Sequence, residues 1–143
     1  MILLDTNIVS ELMRRTPDPR AVAWVDAQPS HELHISAITR AEIELGIALL
    51  PDGHRKQGLR AVAVHVFAEF HGRCLAFDER AASYYADVAC ARRRARRSVS
   101  VEDAQIAAVA LAGGLVLATR NVGDFSGIEG LTVVDPFEAP LVT

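Results

Sequence analysis

Short apolar runs separated by longer amphipathic stretches set the rhythm of this chain. Residues 1–4 are apolar without alternation and stop at Asp5, the pattern of a strand buried on both faces. Residues 33–36, 74–77, 115–118 and 131–134 read as further short strands. Between them, 7–14, 20–27, 39–50, 55–70, 78–97 and 100–112 carry helical character. Thr16-Pro17-Asp18-Pro19, Pro51-Asp52-Gly53 and Gly72 interrupt it, and Gly113-Gly114 reads as a left-handed helix terminator. Strands alternating with helices predict an α/β fold: a central, mainly parallel sheet of four to five short strands flanked by helices. The chain shows no internal repeat, low-complexity segment or linker, and the Pro17 and Pro51 turns read as loops inside one domain.

Composition narrows the function classes. Half of the 143 residues are hydrophobic and 23% are charged, enough to build one core. A net charge of −3 excludes a globally basic nucleic-acid binder but leaves room for a local basic patch. Cys74 and Cys90 lack metal-type spacing, so neither a disulfide framework nor a structural zinc site is expected. MILLDTN has no basic n-region and is not the pattern of a signal peptide. The longest near-apolar stretch, 106–118, is too short to cross a bilayer and contains two glycines. The expected location is therefore the cytoplasm, without a membrane partner.

The acids carry the chemistry. Asp5 follows the first strand, where parallel sheets bind ligands, although it would also serve as an N-cap. Thr39-Arg40-Ala41-Glu42 reads as a capping box with Thr39 as N-cap. Leu45, Gly46, Leu49 and Leu50 share the Glu42 face, which places that acid on the apolar side. Asp103, in Ser100-Val101-Glu102-Asp103, shares its face with Ile106, Ala107, Ala110 and Leu111. Asp124 lies in a loop after the 115–118 strand, where, taken alone, an ordinary turn aspartate is the favoured reading. Ionised carboxylates near a core are costly unless a cation compensates them. Four acids from four parts of the chain therefore suggest Mg²⁺ or Mn²⁺, which prefer oxygen ligands and act on phosphate esters. His31, His34, His54, His65 and His71 are scattered, which argues against zinc hydrolase chemistry.

These segments form a collinear pattern: Asp5-Thr6-Asn7, 36–42 ending in Glu42, Asp103-Ala104-Gln105-Ile106-Ala107-Ala108, and Thr119-Arg120-Asn121 followed by Asp124-Phe125. The pattern resembles that of PIN-domain ribonucleases. More narrowly it is similar to VapC-type toxins of bacterial type II toxin–antitoxin pairs, in the FitB-like branch. The resemblance runs from Met1 to about Pro136, and the whole chain, 1–143, is expected to be one such domain. It implies that Asp5, Glu42, Asp103 and Asp124 are catalytic metal-binding acids, with Thr6, Asn7 and Thr119 in support and Asn121 able to share the role of Asp124. It further implies RNA hydrolysis by metal-activated water, leaving a 3′-hydroxyl and a 5′-phosphate. The implied partners are an RNA substrate, a cognate antitoxin, a second copy of the chain or a higher toxin–antitoxin assembly, and DNA only through the antitoxin.

Arg92-Arg93-Arg94-Ala95-Arg96-Arg97 concentrates five arginines just before Asp103. Arg94 and Arg97 are candidates for RNA phosphate contact. The run equally suits a solvated helix end, or a dock for an acidic antitoxin segment. Leu59, Val62, Val66 and Phe70, with Ala63, have core spacing, and some of them could serve a dimer or antitoxin interface. Two rival functions stand beside the nuclease. A phosphatase with an Asp5 nucleophile wants a second acid two residues on, where Asn7 stands. A non-catalytic PIN-like regulator would act through a DNA-binding partner.

Overall fold

The computed structural model describes residues 1–138; the expected domain end at 143 lies outside the described residues. Five parallel strands form one sheet in the order β3-β2-β1-β4-β5. They are β1 (Ile2–Leu4), β2 (Leu33–Ser36), β3 (Cys74–Leu75), β4 (Val116–Ala118) and β5 (Val133–Val134). Side chains alternate across the pleat. Leu4, Leu33, Ile35, Ala118 and Val134 therefore face one core, and Leu3, Leu117 and Val133 face the other. This two-sided burial explains the uniformly apolar strand runs.

Helices α1 (Thr6–Leu12), α2 (Pro19–Asp26), α3 (Ala37–Ala48) and α4 (His54–Glu69) supply the first core. Helices α5 (Glu79–Arg94), α6 (Val101–Gly113) and the short α7 (Val122–Phe125) supply the second. Ala104, Ala107 and Ala110 are buried on α6, and their small side chains let α5 pack closely. Gly114 ends α6 at φ 65°, as the glycine pair predicts. No helix among the described residues is long and apolar enough to cross a membrane.

Several sequence expectations change here. Ser36, not Thr39, caps α3: its backbone is still extended from β2, and its hydroxyl accepts from Thr39 N at 3.1 Å. The capping box is therefore absent, and Glu42 lies in the second turn. The buried stripe of α3 is Thr39, Ile43 and Ile47, while Leu45 and Leu49 are 59% and 75% exposed. Glu42 thus flanks the core stripe instead of lying on an apolar face. On α4, Ala63 is buried, as is Phe70 just past its end, but Val62 is exposed. Helix α5 stops at Arg94, short of 97, and Arg96 turns the chain at φ 55°. Residues 122–125, read as loop, form α7.

Leu117 is fully buried in the second core. Leu117→Ala is expected to lower unfolding free energy by about 2–5 kcal/mol in urea titrations. Leu45→Ala, at an exposed position, is expected to stay within about 0.5 kcal/mol of wild type.

Candidate active site

Strand order places the site. The chain leaves β1 toward β2 on one side and returns to β4 on the other, so the connections diverge at the carboxyl ends of β1 and β4. Open parallel sheets hold ligands at such a switch point. The register aligns Leu4 with Ala118, which makes Asp5 and Thr119 neighbours just beyond the paired residues. Asp5 N donates to Ala118 O at 2.9 Å.

Asp5 is 3% exposed, and three donors hold its carboxylate. Thr6 N donates to Oδ1 at 2.8 Å, Thr119 Oγ1 to Oδ2 at 2.7 Å and Asn7 Nδ2 to Oδ2 at 3.3 Å. Asn7 Nδ2 also reaches Thr119 Oγ1 at 3.2 Å, and Asn7 Oδ1 accepts from Arg120 N at 3.2 Å. Asn121 N donates to Thr119 Oγ1 at 3.0 Å. Asp5 is thus both the N-cap of α1 and the centre of a lattice joining β1, α1 and the segment after β4.

A second lattice holds Glu42. Thr6 Oγ1 donates to Glu42 Oε1 at 2.7 Å and lies 3.0 Å from Thr39 Oγ1. Ser36 Oγ donates to Thr39 Oγ1 at 3.4 Å. Each hydroxyl has one proton, so these bonds run in one direction, from Ser36 through Thr39 and Thr6 to the carboxylate. Asp103 enters from the first turn of α6, where Ser100 Oγ accepts from its backbone N at 3.0 Å.

Asp5, Glu42 and Asp103 line one hollow of about 470 Å³. Burial pushes the Asp5 carboxyl up to about 6; hydrogen bonds from Thr119 and Thr6 oppose this, while Asp103 and Glu42 add to it. Burial also raises Glu42, with Asp103 and Glu102 adding to the shift. Asp103 is raised by burial and then by Asp124 and Glu102. The donor set is all oxygen, which fits a hard divalent cation. Among the described residues, however, no three His, Cys, Asp or Glu side chains converge tightly enough to clasp one ion.

The expected fourfold cluster is therefore threefold. Asp124 is exposed on α7 and does not line the hollow, although it stands near enough to raise Asp103. The reason lies in the arginine run. Arg92 is buried, and its Nη2 donates to the Asp124 carbonyl at 2.5 Å, while Arg97 Nη1 donates to Ser126 O at 3.0 Å. These bonds tether the α7 segment to the end of α5. Burial, reinforced by Arg97, holds the Arg92 guanidinium below its ordinary pKa. Arg94 is exposed, and neither it nor Arg97 lines the hollow. Thr6, Asn7 and Asn121 do line it; Thr119 supports it from below through Asp5.

Sequence reasoning missed Glu11, Arg14, Arg120 and Phe137, which also line the hollow. Glu11 is buried, and Arg14 Nη1 donates to both its oxygens at 3.1 and 3.2 Å. A signal existed: Asn7, Glu11 and Arg14 share one helical face. Phe137 carries no local signal, because only the path after β5 brings it here.

A family model described as PIN domain matches residues 2–130. Plasmid stability protein StbB of Pseudomonas syringae pv. tomato is 44% identical, over 97% of this chain and 100% of that protein. Toxin FitB of Neisseria gonorrhoeae is 40% identical over 96% of this chain and 99% of its own. VapC ribonuclease Y4jK of Sinorhizobium fredii is 38% identical over 96% and 99%. The solved structure of FitAB bound to an IR36 DNA fragment aligns at a TM-score of 0.89 and 37% identity, covering 98% of each chain.

The raised carboxyl gives a pH dependence with a fixed sign. Folded Asp5 holds its proton up to about pH 6, whereas its ordinary value is 3.8. The folded state therefore binds more protons in that window, and stability falls as pH rises through it. A shift of this size corresponds to roughly 3 kcal/mol. In EDTA, the melting temperature of wild type relative to Asp5→Asn is expected to fall from pH 4 to pH 7 and then level off. Parallel profiles for the two proteins would contradict the burial of Asp5 as an acid.

Proposed function

We propose that this chain, which belongs to the PIN-domain family, is a divalent-metal-dependent endoribonuclease acting as the toxin of a toxin–antitoxin pair. One observation carries the reading: besides the Arg14-paired Glu11, three carboxylates, from the end of β1, α3 and α6, line one hollow at the switch point of the sheet. The relatives named as a toxin and as a ribonuclease support the biological class.

In this reading Asp5, Glu42 and Asp103 hold Mg²⁺ or Mn²⁺, and Asp124 adds negative charge beside Asp103. The ion supplies positive charge against a phosphodiester and lowers the pKa of water. Thr119 and Asn7 donate to Oδ2 of Asp5 and Thr6 N to its Oδ1, so the carboxylate is fixed before substrate arrives. Thr6 does the same for Glu42, and Asn121 steadies Thr119 through its backbone N–H. Arg94, the last residue of α5, and Arg97 just beyond it are assigned to RNA phosphates outside the hollow. The whole chain acts as one domain in the cytoplasm, as a homodimer restrained by an antitoxin, and reaches DNA only through that partner. FitAB, solved on a DNA fragment, is the precedent for such an assembly.

Purified protein is expected to cleave a short RNA with Mg²⁺ or Mn²⁺ and to stop in EDTA. Asp5→Asn and Asp103→Asn are expected to lose about 100-fold or more, and Thr119→Val about 10- to 100-fold as a supporting residue. Cleavage that persists in EDTA, or that Asp103→Asn leaves unchanged, would overturn the assignment.

A further inference from the structure

The hollow has a second chemical character besides its acids. Arg120 and Phe137 line it together with Asp5, Glu42 and Asp103. The Arg120 guanidinium lies over the Phe137 ring, with Cζ 4.5 Å from the centroid. Phe137 is 8% exposed, so its ring is a fixed floor. Arg120 itself is exposed. A guanidinium seated on a ring keeps its other face and its in-plane N–H groups available.

Two arginines line the hollow, and they are not equivalent. Arg14 is tied to the buried Glu11 carboxylate, which answers its charge. Arg120 faces a neutral ring and makes no ion pair among the described residues. Its backbone is held by Asn7, the residue that also holds Asp5 and Thr119. The same asparagine therefore sets the position of the free cation relative to the acids. Asp5, Glu42 and Asp103 would repel any polyanion entering this space, so an uncompensated cation here has a direct use.

Resting on the nuclease reading above, we propose that Arg120, seated over Phe137, is a subsite that receives one unpaired nucleobase of the RNA beside the acids. The flat outer face of the guanidinium stacks the base, and its N–H edge meets an adjoining phosphate. A duplex keeps its bases stacked on one another and cannot offer one to this face. Arg120 and Phe137 are thereby the residues through which the hollow grips an unpaired stretch.

The test is steady-state cleavage of a short single-stranded RNA and of its duplex by wild type, Arg120→Lys and Phe137→Leu. Binding of the same RNA in EDTA is followed by fluorescence anisotropy. Lysine keeps the charge but removes the plane. Arg120→Lys is expected to raise KM on the single strand about 5- to 100-fold, with kcat within a few-fold and the preference over duplex narrowed. Phe137→Leu is expected to move KM in the same direction, measured below its melting temperature. Arg120 is exposed, so Arg120→Lys remains informative where Phe137→Leu fails to fold. If wild type cleaves and Arg120→Lys keeps wild-type KM and duplex discrimination, the subsite is overturned while the nuclease reading stands. If wild type neither cleaves RNA nor binds it in EDTA, both fall together.

Discussion

Burial of carboxylates away from water, to which their mutual repulsion adds, is the constraint around which this molecule is arranged. Asp5 is almost wholly buried, Glu42 and Asp103 open into the same hollow, both raise the Asp5 pKa, and Asp103 raises that of Glu42 as well. A fold assembled only for stability would put apolar groups or paired ions there. Instead the chain spends hydroxyls and an amide on keeping the acids ionised and oriented. Thr119 and Asn7 serve Asp5, and Thr6, backed by Thr39 and Ser36, serves Glu42. That arrangement is understandable as a socket for positive charge, and the burial of Asp5 appears as its raised pKa.

The sheet order makes such a socket possible. Because β1 is central and the chain crosses from one side of it to the other, the ends of β1 and β4 diverge and leave a gap. The Asp5–Thr119 bond spans 114 positions in sequence, yet it follows directly from the one-residue register of Leu4 on Ala118. Register, more than any local motif, turns two ordinary strand-end residues into a site. The α7 segment shows the complementary case: Arg92 and Arg97 bind its carbonyl oxygens and fix Asp124 beside Asp103, outside the hollow.

Much of this was legible in the order of residues. Uniformly apolar runs announced strands buried on both faces, Gly113-Gly114 announced the end of α6, and the acids at 5, 42 and 103 stood out as misplaced charge. The apolar face assigned to α3 failed because periodicity counts leucines without knowing which are covered. Leu45 and Leu49 face solvent, while the true inward stripe contains a threonine. The helix start moved to Ser36 because the strand end itself supplies the cap, which a search for a capping box overlooks. The arginine run read as a surface feature, but long side chains reach across, and Arg92 is buried against the α7 backbone. Phe137 entered the site only through the chain path after β5, a tertiary fact with no local signature.

The most direct test of the account is anomalous diffraction from a crystal soaked in Mn²⁺. The account places a manganese peak in the hollow between Asp5, Glu42 and Asp103, with carboxylate oxygens from at least two of them about 2.0–2.3 Å away. A well-diffracting crystal at millimolar Mn²⁺ with no peak in that hollow, or with its peak elsewhere, would contradict it.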